Sequence, residues 1–370
     1  MRASCTARTA LLGLIISLVL AASAVRAKED VVEYQVEEGK ARQVIGNILE
    51  ERWNEVRVRT TEDGEEKVLT IDSPKVQHLR YGETPHELAT ARVAFNGGKF
   101  NRAYELFTEA AEVAAQKEEH KWARPYAFYH AGEVAFNHAR DMAVTQEEKE
   151  RYFKLGLDQC DKLLDEFPEH RFAPDGKLLK AKCLMRLGRL DESERLLQSL
   201  IDSEYYEITR LQARLWMGRL LGEKKEHDQA VEKLAALQKE LKDSRPQLYY
   251  RARLEEAYAR LASDDQRGAE SILWEMSLQC DDPDLRAEAA VSRGLSLKQR
   301  GQLREALYSF LRVVVLHFDV PDEYQKALYH AALVAREYYE DDQRAKELAN
   351  ELYEKFPQSH LTQELKKTGL

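Results

Sequence analysis

Cysteine is scarce. The chain has four in 370 residues, and Cys5 stands far from Cys160, Cys183 and Cys280. Three thiols make no disulfide framework. They read as small buried hydrophobes, with a Cys160–Cys183 bridge between successive helices as the alternative. Asn-x-Ser/Thr acceptors are absent. An excess of positive charge is missing too: 56 Lys and Arg stand against 65 Asp and Glu, for a net charge of −9. Phosphate contacts need clustered cations, so this balance argues against a nucleic-acid partner. No phosphate-cradling glycine loop, Gly-x-Ser-x-Gly elbow, His-Glu-x-x-His or Cys-x-x-Cys occurs. His130 and Glu133 have metal-ligand spacing, yet nothing else converges on them. Asp264-Asp265, Asp281-Asp282 and Asp341-Asp342 fall at turns, where Asp favours tight bends. These absences point away from an enzyme, a cofactor, a bound metal or a small-molecule substrate. A hydrolase or lyase on a helical array would need acids and His gathered in one groove.

Long apolar runs are also lacking, except from Leu11 to Ala22. Arg2, Arg8 and Arg26 flank that run, which ends in Ala-Ser-Ala and Val-Arg-Ala. The pattern is that of a secretory signal peptide over residues 1–27, cut after Ala27. An uncleaved anchor is the alternative, although the run is short for a bilayer. Cys5 precedes the run, which argues against a lipoprotein signal. Residues 1–27 hold three arginines and no acid, so the rest of the chain is more acidic than the whole. An exported protein is expected, periplasmic or secreted, with envelope association as the alternative.

Residues 28–83 read as a small β module. Val31 to Val36, Val44 to Leu49, Val56 to Thr60, Val68 to Ile71 and Val76 to Tyr81 are β-branched or alternating runs. Glu38-Gly39-Lys40, Glu62-Asp63-Gly64-Glu65 and Asp72-Ser73-Pro74 separate them. This predicts a five-stranded antiparallel meander that closes as an SH3- or Sm-like barrel.

Residues 84–370 are helical, and they repeat. A small residue is followed by apolar residues four and seven places on, beginning at Ala103, Gly156, Ser193, Ala230, Ala269, Ala306 and Ala345. The spacings are 53, 37, 37, 39, 37 and 39. The long gap marks an insertion near residues 141–152, where Thr145 and Glu148 have capping-box spacing. Twelve residues before most of these small residues stands another: Ala91, Ala181, Gly218, Ala257 and Gly294, with Gly132 ahead of the insertion and Leu333 in its place at the end. Gly97-Gly98, Gly188 and Gly301 read as helix stops inside a pair. Pro85, Pro125, Pro174 and Pro246 read as helix starts. A fixed period in the 30s predicts about seven stacked helical pairs in an α-α superhelical solenoid.

Gly98-Lys99-Phe100-Asn101-Arg102-Ala103, Gly188 to Ser193 and Gly301 to Ala306 resemble the turn core of tetratricopeptide repeats (TPR). The endings at Phe167-Pro168 and Phe356-Pro357 resemble, loosely, those of the outer-membrane assembly and Tol–Pal coordinator proteins of the bacterial envelope. The resemblance implies a non-catalytic exported adaptor that holds a protein or peptide in a concave groove lined by first helices. A structural part of an envelope assembly or transport complex, docked through the β module, is the alternative. Val93-Ala94-Phe95-Asn96 and Val134-Ala135-Phe136-Asn137 recur at equivalent places. With Arg92, Lys182 and Arg186 they resemble a carboxylate clamp moved by one helical turn. The competing role for Asn96 and Asn137 is helix capping. Tyr126 and Tyr129 are candidate aromatic anchors, and core packing is their competing role.

Overall fold

The structure is a computed structural model. It describes residues 29–37, 40–62, 64–141, 145–242, 244–339 and 342–370, so the leader read over residues 1–27 lies outside them. The chain divides into two compact units after Thr209, and each is described by itself.

Five antiparallel strands open the first unit: β1 Asp30–Glu37, β2 Lys40–Glu51, β3 Glu55–Glu62, β4 Glu65–Asp72 and β5 Val76–Arg80. Alternation sets their faces. Val56 and Val58 are buried while Arg57 and Arg59 point out, and Val32, Ile71 and Val76 complete the core. Gly46 lies where a Cβ would meet the Arg59 carbonyl oxygen at 2.0 Å, so no side chain fits. The strand order β4-β3-β2-β1-β5 departs from a simple meander at its last step. A 3-10 turn at Ser73–Lys75, with Pro74 inside it, redirects the chain so that β5 pairs with β1 instead of β4. The described strands thus form one five-stranded antiparallel sheet with β4 and β5 at its edges.

Fifteen α-helices follow among the described residues. In the first unit they form three pairs: α1 His86–Asn96 with α2 Phe100–Gln116, α3 Ala123–Asp141 with α4 Gln146–Glu166, and α5 Ala173–Arg186 with α6 Leu190–Ile201. Helix α7 Glu207–Glu223 pairs with α8 His227–Leu241, α9 Pro246–Ala262 with α10 Gln266–Gln279, and α11 Pro283–Gln299 with α12 Leu303–Leu316. The last pair is α13 Pro321–Tyr339 with α14 Asp342–Lys355, and α15 His360–Lys367 ends the chain. The predicted class, helical pairs preceded by a small β unit, is the observed one.

The sequence pattern is explained by how two helices of a pair meet. Where α7 has Gly218, the side chain of Leu234 on α8 fills the space: a Cβ on the glycine would lie 2.5 Å from Leu234. Phe310 on α12 sits against Gly294 on α11 in the same way, at 2.6 Å. Ala91 with Phe107, and Ala257 with Leu273, hold the corresponding places in their clusters. The small residue of the first helix is thus a socket, and the bulky residue sixteen positions later is its plug. The last pair inverts the sizes. Leu333 occupies the socket position and Ala349 the plug position, within one cluster. Side-chain sizes are thus exchanged between the two positions.

Five turns inside pairs share one geometry. Gly98, Gly188, Lys225, Asp264 and Gly301 have φ of 69°, 75°, 66°, 65° and 73°. Each stands five residues before the small residue of its second helix. The next amide N–H donates to a carbonyl five residues back, as in Lys99 to Ala94 at 2.9 Å and Glu226 to Leu221 at 2.8 Å. These are Schellman closures. Two use a non-glycine residue at a left-handed position, which is why glycine spacing alone reveals only three of them.

The long second period is helix. Helix α3 continues to Asp141, and α4 begins ten residues before Gly156, whereas α2 begins three before Ala103. Thr145 caps α4, its hydroxyl accepting from the Glu148 N–H at 3.1 Å.

Replacing the reversed plug is expected to be asymmetric. Leu333→Ala should destabilise the second unit by about 2 kcal/mol by leaving a cavity. Adding Ala349→Leu should recover more than half of that loss, as read from urea unfolding midpoints. Additive losses would show that the two positions do not interlock.

Candidate functional site

The candidate residues on the first helices divide into different environments. Arg92 is exposed on α1, its guanidinium 5.9 Å from the centre of the Tyr126 ring. Phe95 is half-buried and meets Phe100 edge-on at 6.0 Å. Asn96 is exposed and is the last residue of α1. Asn137 lies four residues short of the end of α3, so it caps nothing. Phe136 is buried, 5.5 Å from Phe153, and serves the core of its own pair. Arg186 is half-buried and ends α5.

Tyr129 and Lys182 belong to a second group, spread over α3 and α5. The Tyr129 hydroxyl donates to Glu133 at 3.2 Å, and its ring stacks on Phe172 at 4.5 Å. Burial lowers the Lys182 pKa, while Asp175 and Glu133 work against that shift. Burial also pushes the Asp175 carboxyl up to about 6, with Lys182 opposing. Lys182 therefore already faces two carboxylates of its own unit. His130 and Glu133, the candidate metal pair, are bound to each other at 2.8 Å. Among the described residues no group of three or more His, Cys, Asp or Glu could hold a metal ion. No described helix is long and apolar enough to cross a membrane.

Tyr126 has a role that its sequence neighbourhood does not show. It is buried, and its hydroxyl donates to both carboxylate oxygens of Glu51, at 2.8 and 2.9 Å. Tyr81 donates to the same carboxylate. His170 Nε2 lies 3.6 Å from it. Burial raises the Glu51 pKa, and Arg171 and the two hydroxyls oppose that rise. Burial lowers His170 to about 3, so the ring is neutral near pH 7. Around this carboxylate the β2–β3 corner is fastened to the helices. The Trp53 N–H donates to the Glu169 carbonyl at 3.0 Å, Arg52 bridges to His170, and Trp53 meets Tyr205 edge-on at 4.9 Å. Glu51, Tyr81, Trp53 and His170 carry no local sequence signal, because their partners stand tens of residues away.

In the second unit the first helices leave two adjoining hollows. One, of about 350 Å³, lies between α9 and α11, with Leu261, Gln266, Leu295 and Gln299 on its wall. The other, of about 210 Å³, lies between α7 and α9, with Gly222 and Glu223 on its wall. Tyr258 and Ala262 are common to both. The hydroxyl of the half-buried Tyr258 bonds to Glu288 and Ser292, each at 3.0 Å.

A family model described as a tetratricopeptide repeat-like domain matches residues 135–257. The helical pairs within residues 135–257 are tetratricopeptide repeat-like. The chain is similar to a tetratricopeptide repeat protein from Parabacteroides merdae, at 14% identity over 76% of this chain and 96% of that one, with a TM-score of 0.48. It is also similar to pilF of Pseudomonas aeruginosa, at 13% identity over 66% and 97% of the two chains, with a TM-score of 0.41. The quorum sensor NprR of B. thuringiensis is similar at 13% identity over 75% and 79%, with a TM-score of 0.46. No curated protein sequence matches the chain.

The Glu51 contact is expected to hold the β module to the repeats. Glu51→Ala leaves two buried tyrosine donors without an acceptor and should cost about 3 kcal/mol. Glu51→Gln keeps an acceptor and should cost less. Urea unfolding measures the cost, and limited proteolysis of residues 40–62 shows whether the strands are released. Equal stability in all three proteins would remove Glu51 from this role.

Proposed function

We propose that the chain is an exported, non-catalytic adaptor whose tetratricopeptide repeats hold a peptide or protein segment along their first helices. The observation that carries this reading is the pair of adjoining hollows that share Tyr258 and Ala262. The socket and plug residues are spent on locking the pairs, so the first helices are left to present side chains. Alanine and glycine on the floor let a backbone approach closely, Leu295 at 40% exposure offers an apolar contact, and Tyr258 with Ser292 offers polar ones. Such a surface makes and breaks no bond; it selects by shape and hydrogen bonding.

The test is a selection of random ten-residue peptides displayed on phage against residues 28–370. Peptides recovered on the wild type should bind the Leu295→Arg variant at least tenfold more weakly, with an unchanged thermal midpoint. Equal binding to both proteins would sink the assignment to this surface.

Export rests on the apolar run and small-residue ending of residues 1–27. Intact-mass measurement of the protein from its own cells should place the first residue at Lys28. A chain that retains residues 1–27 contradicts cleavage.

A further inference from the structure

We propose that the cleft between the β module and the first two helical pairs binds an extended, lysine- or arginine-rich peptide segment. This second site lies wholly within the first unit and does not depend on the hollows of the second.

Three independent features define the occupant. The first is charge. The cleft has a volume of about 540 Å³, and Asp30, Glu50, Glu51, Glu83, Glu118 and Glu119 line it against a single Lys, Lys121. Some of these acids already have partners. Asp30 accepts from the N–H groups of Ile48 and Gly82 at 2.8 and 2.9 Å, and Glu51 accepts from the two tyrosines. Glu50 is held by Arg52 and Arg57. Glu118 meets only Lys121, at 2.5 Å, in an exposed pair that contributes little. Glu119 is exposed and has no hydrogen-bond or ion-pair partner among the described residues. The rim therefore keeps negative charge for an incoming cation.

The second feature is an aromatic wall. Trp122 lies flat on Tyr81, with ring centres 3.6 Å apart and planes 6° from parallel. Stacked rings of this kind receive a guanidinium or the methylene stem of a lysine, and they favour a cation over an anion.

The third is a strand edge. Strand β1 pairs with β2 only as far as Asp30 opposite Gly46. Strand β2 runs on to Glu51, paired with β3 along its other side, and Asn47 to Glu51 all line the cleft. A bulge between Ile48 and Glu50 leaves Leu49 42% exposed. The Ile48 N–H is already held by the Asp30 side chain, so an extended segment laid along this edge would pair with the β2 backbone from Leu49 to Glu51. Alternate side chains would then face the carboxylates and Leu49. A lone metal ion would use the charge but neither the rings nor the edge.

The experiment uses residues 28–370 and a fluorescein-labelled ten-residue peptide of alternating lysine and valine. A peptide of alternating glutamate and valine serves as control. Anisotropy titration should show binding of the lysine peptide that weakens steeply between low and physiological salt, with none for the control. Glu118→Lys combined with Glu119→Lys changes two exposed positions outside the core and should weaken binding on the order of tenfold or more. Hydrogen exchange should show new protection at residues 47–51 with the peptide bound. The proposal is overturned by equal affinity in the double variant, by equal binding of the glutamate peptide, or by unchanged exchange at residues 47–51. Displacement of the peptide by millimolar calcium would overturn it in favour of a cation site. Leu295→Arg should leave this binding intact. If that variant abolishes it, the peptide sits in the second unit and the cleft is not its site.

Discussion

One contact sets the geometry of the helical array: a bulky side chain of a second helix seated where the first helix has glycine or alanine. At Gly218 and Gly294 the fit is so close that no Cβ can be added without moving Leu234 or Phe310. Interiors packed at crystal-like density accept few such changes. The connection is shaped to deliver the contact. A left-handed residue five positions ahead of the second helix's small residue turns the chain, and a carbonyl five residues back closes the turn. Because both helices are held to this point, the outward faces of the first helices recur in register. Hollows between α7, α9 and α11 are a by-product of that regularity.

The β module obeys a different rule. Its attachment relies on a carboxylate taken out of water, where each donor and charge around it counts for more than at the surface. Two tyrosine hydroxyls and a neutral histidine surround Glu51, while Trp53 and Arg52 engage the segment between α4 and α5 through backbone and ring contacts. Such an arrangement tolerates little misplacement, so it specifies how the strands sit on the first pairs. The cleft beside it is the outer margin of the same seam.

Periodicity was the legible part. Small and bulky residues at fixed spacing, glycines at 98, 188 and 301, and alternation at Val56 and Val58 are local signals. They located the pairs, three of the shared turns and the strands. Lys225 and Asp264 hid two more turns, since an ordinary residue in a left-handed conformation leaves no mark in the sequence. The β5 pairing was hidden as well: a 3-10 turn of three residues decides which edge the last strand reaches. The surface was least legible. Tyr126 and Phe136 have helical spacing fit for either a groove or a core, and the structure buries both. Lys182 looks like an available cation until Asp175 and Glu133 are brought beside it from two helices. The partners of Glu51 at positions 81, 126 and 170 show why the seam was invisible: it is written in residues with no common neighbourhood.

The inverted sizes at Leu333 and Ala349 bear on how such a chain can change over time. Five pairs set a small residue of the first helix against a bulky one sixteen positions later, the second pair sets Gly132 against Gly156 and Cys160, and the seventh exchanges the sizes. A copying error that exchanges whole pairs keeps every mate together. One that breaks inside a pair and joins a helix of the last to a helix of any other sets large against large or leaves a gap. The last pair therefore keeps its interlock only when its two helices move together.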